Sequence, residues 1–114
     1  MLRTEFEQKV AERKELHREE EEFFTKLAEA RRELSYKLNS LVNKVVNERD
    51  VQGKLINSNE GKRRVELSYQ KENNVEYKEL EVIVENLERS LRLTQSEIEA
   101  LSSLIDFEVT FRHD

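Results

Sequence analysis

Cysteine, proline and tryptophan are absent from this 114-residue chain, and glycine occurs only twice. Each absence removes a class. Without cysteine there is no disulfide framework and no thiolate zinc or redox site. With no proline and two glycines, the frequent turns of a β sandwich or barrel have no residues to make them. No run of 18 apolar residues exists, so no membrane-spanning helix is expected. No apolar stretch of the secretory type follows Met1, so the expected location is the cytoplasm. Two histidines are too few for most metal sites.

What fills the chain instead is charge. Asp, Glu, Lys and Arg make up 39% of the residues against 36% for the apolar set, and the length allows one domain, 1–114. The net charge of −5 hides a pattern. Residues 1–48 carry 10 basic and 11 acidic side chains, residues 49–71 carry 6 and 3, and residues 72–114 carry 4 and 11. The middle is therefore basic and the last third strongly acidic. Such asymmetry speaks about partners rather than fold.

Apolar periodicity predicts two long helices. The first runs over 4–49, opened by a capping box of Thr4 and Glu7. A heptad with Phe6 at d places Val10, Arg13, His17, Glu20, Phe24, Leu27, Arg31, Leu34, Leu38, Leu41 and Val45 along the seam. Its first half is broken by polar residues, and Leu16, Phe23 and Ala30, at g, widen the stripe. Arg31 at a seam position needs a carboxylate partner if buried, with a role in register, or else its stem packs while its head reaches water. The second helix, over 73–111, is capped by Asn73 with Glu76 three residues on. Its seam is cleaner: Tyr77, Leu80, Val84, Leu87, Leu91, Thr94, Ile98, Leu101 and Ile105 include a single polar residue. Ile83 and Leu104 flank it at g.

Residues 50–72 form the elbow between them. Gly53 fits a left-handed cap, and Asn57 with Glu60 can open a short helix. Val65, Leu67 and Tyr69 alternate like a strand, yet Val65 and Tyr69 also stand at helical spacing. A lone strand is unstable, so a short helix is favoured. The expected fold is all-α: an antiparallel hairpin of two long helices with a short helical or irregular elbow. Two helices cannot cover stripes this wide, so the chain is expected to pair with itself in a coiled-coil-like bundle. Leu34, Leu38, Leu41, Leu80, Val84, Leu87, Leu91, Ile98, Leu101 and Ile105 form the oligomer seam.

Chemistry is sparse. His17 shares a helical face with Glu20 and Glu21, but di-iron bundles need Glu-x-x-His on two helices, and a polar break in the seam is the ordinary reading. His113 falls in the last two residues, where fraying is expected. No Gly-x-Ser-x-Gly elbow and no glycine-rich phosphate loop is present. The carboxylates are interleaved with Lys and Arg as solvated helix faces. No enzyme activity, cofactor or metal is expected. The functional candidate is the basic elbow, Arg49, Lys54, Lys62, Arg63, Arg64 and Lys71 with Tyr69 among them. Such clusters gain from counterion release on phosphate backbones, and an aromatic can stack on an unpaired base. The competing reading pairs Arg63 and Arg64 with Glu60, Glu66 or the acidic second helix.

The segment Lys54-Leu55-Ile56-Asn57-Ser58-Asn59-Glu60-Gly61-Lys62-Arg63 sits between a helical N-terminal half and a long helix ending Leu101-Ser102-Ser103-Leu104-Ile105-Asp106-Phe107. This layout over residues 45–110 resembles small helical proteins of bacteriophages and prophages, and is similar to that of the phage UvsY-type recombination mediators. The resemblance implies a non-enzymatic helical oligomer that binds single-stranded DNA and helps load a RecA-like recombinase. The acidic last third departs from what a DNA binder wants. The alternative function is a protein-binding module, a structural adaptor or a phage-encoded inhibitor of a host protein, whose acidic second helix meets a basic protein partner.

Overall fold

In the computed structural model, residues 2–112 are described. They form three α-helices: α1 (Arg3–Asn47), α2 (Glu60–Asn73) and α3 (Val75–Arg112). The long helices α1 and α3 pack against each other as an antiparallel hairpin, and α2 occupies the elbow. Residues 64–69, ambiguous in the sequence, are helical. His113 lies outside the described residues.

The chain divides into two compact units. One combines Met1–Ala28 with Asn86–Asp114, the other is Glu29–Glu85. In the first, Leu27 of α1 and Leu91, Thr94 and Ile105 of α3 are buried. In the second, Ala30, Leu41 and Val45 of α1 are buried, as are Tyr77 and Val84 of α3. Each large apolar side chain removed from water in this way stabilises by roughly 1.5–3 kcal/mol. All ten predicted seam positions are buried or half-buried within the single chain. The hairpin buries Leu41, Val84, Leu91 and Ile105 and half-buries the other six.

The predicted row on α3 holds along its length, but the row on α1 does not. Phe24 and Arg31 are exposed, while Leu16 and Phe23 are half-buried and Ala30 is buried. The inward row is therefore Leu16, Glu20, Phe23, Leu27, Ala30 and Leu34, then Leu38, Leu41 and Val45. The residues assigned to g face inward between Leu16 and Ala30, and those assigned to a there, His17, Phe24 and Arg31, face outward. The cause is the mismatch between 3.6 residues per turn and a strict heptad, which moves the inner face from one column to the next. Arg31 therefore needs no buried carboxylate.

The caps also differ from expectation by one or two residues. Helix α1 begins at Arg3, so Thr4 is inside the first turn, and the Glu7 carboxylate accepts from Arg3 Nε at 3.2 Å. Asn59, not Asn57, caps α2: its Oδ1 accepts from Lys62 N at 2.9 Å. Asn74, not Asn73, caps α3, with Oδ1 accepting from Tyr77 N at 2.9 Å. Asn73 closes α2 instead, donating Nδ2 to Tyr69 O at 2.8 Å. Where asparagines come in runs, only the one with extended backbone serves as an N-cap, as Asn59 does with φ −136° and ψ 167°.

Candidate nucleic-acid interface

The elbow begins where the carbonyls of α1 run out of helical N–H donors. Asn47 Nδ2 donates to Asn43 O at 2.8 Å, and Asn57 Nδ2 donates to Val45 O at 3.0 Å. Val45 lies in the last turn, so the Asn57 amide takes up a carbonyl that the helix end leaves without an N–H donor. Asn57 is buried, and in place of the predicted helix cap it serves inside the elbow.

Between α1 and Asn57 the chain makes a tight hairpin-like turn. Arg49 and Leu55 form an isolated antiparallel bridge. Gly53 N donates to Asp50 O at 3.0 Å, and Asp50 N donates to Lys54 O at 2.8 Å. The Asp50 carboxylate accepts from the amides of Gln52 and Lys54. Gly53 has φ +80°, so its left-handed conformation belongs to this turn rather than to a helix cap. A turn closed by a left-handed glycine is a common three- to four-residue hairpin connection, and Asp50-x-x-Gly53 is its sequence signal. The sequence reading missed it. The turn carries Val51 fully into solvent, with Arg49 and Lys54 exposed beside it.

The predicted site residues do not form one patch. On α2, Lys62 and Tyr69 share a face at i and i+7, with Val65 between them at i+3, and all three are exposed. Tyr69 keeps 61% of its surface in water. Arg63 turns the other way, is half-buried, and donates Nε to Asn57 O at 3.1 Å. Arg64 lies on the opposite flank and pairs with Glu60 at 3.2 Å. Lys71 is half-buried, with Nζ 5.8 Å from the centre of the Tyr77 ring, in cation–π range. Arg49 donates Nη1 to Gly53 O at 2.8 Å. Of the six elbow cations, Arg64 alone has a carboxylate within 4 Å among the described residues.

Elsewhere in the second unit, charge ties α3 down. Lys37 Nζ meets Glu76 Oε2 at 2.9 Å, and Lys78 bridges Glu72 of α2 and Glu81 of α3. The hydrogen bond to Glu72, ahead of the surrounding charge, holds the Lys78 ammonium above its ordinary range. His17 Nδ1 lies 3.4 Å from Glu20 Oε1, an i, i+3 contact on the surface of α1. Among the described residues no group of three His, Cys, Asp or Glu stands close enough to hold a metal ion. No described helix is long and apolar enough to cross a membrane. No family model, curated protein or solved structure matches the chain.

Proposed function

We propose that the second unit holds single-stranded nucleic acid on the exposed face of α2. The observation that carries this reading is the state of the elbow cations: only Arg64 is neutralised by a carboxylate among the described residues, and Lys62 shares its face with the open ring of Tyr69. Lys62, with Arg49 and Lys54 of the preceding turn, meets phosphates; Tyr69 takes a base. Arg63 and Lys71 hold the elbow together and take a smaller share. The contacts are to backbone and π-face, so the binding is indifferent to sequence. The corresponding role is that of a non-enzymatic accessory protein in phage recombination or replication, as the resemblance to recombination mediators implies.

The experiment is a titration of fluorescein-labelled oligo-dT and a mixed-sequence strand with the full chain. Affinity should fall with salt at a log–log slope of roughly −0.7 per phosphate contacted. Lys62→Glu should weaken both strands alike. Tyr69→Ala should weaken binding by about 1–3 kcal/mol with little change in slope, if the ring stacks on a base. Absence of measurable binding at about 50 mM salt, where such contacts are weakly screened, overturns the reading.

A further inference from the structure

A second apolar row runs along the C-terminal half of α3, in the first unit, on a face the hairpin does not cover. Leu93, Ala100, Leu104, Phe107 and Phe111 follow one another at 7, 4, 3 and 4 residues, the spacing of a single helical face. All five are exposed, and Phe107 and Phe111 keep 60% and 63% of their surface in water. Their rings already lie against each other, with centroids 4.4 Å apart. Beside this row a groove is floored by Leu16, Ala100 and Leu101 and rimmed by Glu12, Glu15 and Glu97. Ala100 belongs to both, so the row and the groove form one surface.

Charge decides what that surface accepts. The first unit contains nine basic and fourteen acidic residues, so it carries the whole net charge of −5, while the second unit has eleven of each. A phosphate-bearing ligand or an anionic membrane is repelled here. An antiparallel second copy is also opposed: matching Leu93 with Phe111 and Ala100 with Leu104 sets Glu97 of each copy beside Glu108 of the other. Like charges facing each other at a helix pair are destabilising. Glu97 has no ion pair among the described residues. An apolar face edged by Glu12, Glu15 and Glu97 on its groove side is complementary to an apolar face with a basic edge.

We infer that this surface docks an amphipathic helix of another protein, one whose apolar stripe is flanked by lysine or arginine. Leu104 and the Phe107–Phe111 pair supply the apolar anchor, and Glu97 with Glu12 sets the sign of the partner. The inference is independent of the nucleic-acid reading, since it uses the first unit alone.

The test uses the full chain and three fluorescein-labelled 18-residue peptides read by anisotropy. One has leucines at i, i+3, i+4 and i+7 flanked by lysines; the second has glutamates in place of the lysines; the third scrambles the first. The lysine-flanked amphipathic peptide should bind saturably at one per chain, and the other two at least about tenfold more weakly, the step expected when one good contact is lost. Leu104→Ser with Phe107→Ser leaves the charge unchanged and should weaken the first peptide by about tenfold or more. Should that double variant lose helicity by circular dichroism, Glu97→Lys with Glu12→Lys reads the same site and should weaken the peptide several-fold, most at low salt. Equal binding of the scrambled peptide, no binding of the first, or no loss in the charge variant overturns the inference. So does a sedimenting dimer that Leu104→Ser dissolves, which assigns the surface to a second copy.

Discussion

Asn57 is held between two backbone segments, its amide donating to Val45 O and its own carbonyl accepting from Arg63 Nε. It is buried, so neither bond can be replaced freely by water. Asn57→Ala leaves the Val45 carbonyl unmatched, and such a group costs about 1–3 kcal/mol. Asn57→Asp should be worse, because it sets a carboxylate against a carbonyl oxygen. Urea denaturation checks both, and a change within experimental error for Asn57→Ala would contradict the bonding described. Arg63 follows from the same geometry. Its guanidinium is engaged with the elbow, so Arg63→Ala should lower stability more than strand affinity, whereas Lys62→Glu should do the reverse. On α1, Arg18 is bonded to Glu15 and Glu22. The hydrogen bond from Arg18 outweighs desolvation and holds the Glu15 carboxyl below its ordinary 4.5. A lowered carboxyl contributes stability that is present above its unfolded value and is lost as the pH falls through the folded one. The melting-temperature difference between the parent and Glu15→Gln should therefore be present at neutral pH and shrink below pH 4.5. Both side chains are exposed, so that difference is small.

Among the elements, the elbow turn is the most sensitive to backbone shape. Gly53→Ala meets no neighbour within 4 Å but must adopt φ +80°, a strain of roughly 1–2 kcal/mol. Asn59→Ala removes the cap of α2, typically about 1 kcal/mol. Thermal denaturation separates these from the helix interiors, where Leu91→Ala should cost about 2–5 kcal/mol and the exposed Phe24→Ala far less. That last contrast shows what was legible in the sequence. The α3 seam could be read because its inward residues stay nearly all apolar from Tyr77 to Ile105, so one column is unambiguous. The α1 seam could be read in both columns only from Leu34 onward, and before it in the column of Glu20 and Leu27 alone. Before it, Phe23 and Phe24, or Ala30 and Arg31, are adjacent, and a heptad drawn from Phe6 cannot say which of two neighbours turns inward once the face drifts. The helix boundaries were legible to within a few residues, but the caps were not, because each lies among several asparagines and only backbone shape selects one. At the candidate site the composition identified the segment and not its geometry. Six cations in 23 residues predict a basic elbow, but helical spacing sends Arg63 and Arg64 to different sides from Lys62 and Tyr69. The turn at Asp50–Gly53 was legible in principle, since aspartate three residues before glycine is its signature.

At the scale of the molecule, the two units differ in charge. The second is neutral overall and presents unneutralised cations around α2, while the first carries the entire negative charge beside an exposed apolar row. If these are separate surfaces, substitutions should act on one ligand and spare the other. Lys62→Glu with Lys54→Glu should reduce strand affinity and flatten its salt slope by about 1.4 if each side chain meets one phosphate, with the lysine-flanked peptide unaffected. Leu104→Ser with Phe107→Ser should remove the peptide and leave the strand titration unchanged. A cationic peptide will associate with any acidic surface at low salt, so the comparison belongs at about 150 mM, where the screening length is about 8 Å and only contacts at close range survive. At that salt, loss of both ligands in either double variant, with helicity intact, would mean one shared surface rather than two. Loss of the strand alone in the first and of the peptide alone in the second is the outcome expected of a protein that holds a polyanion on one unit and a basic helix on the other.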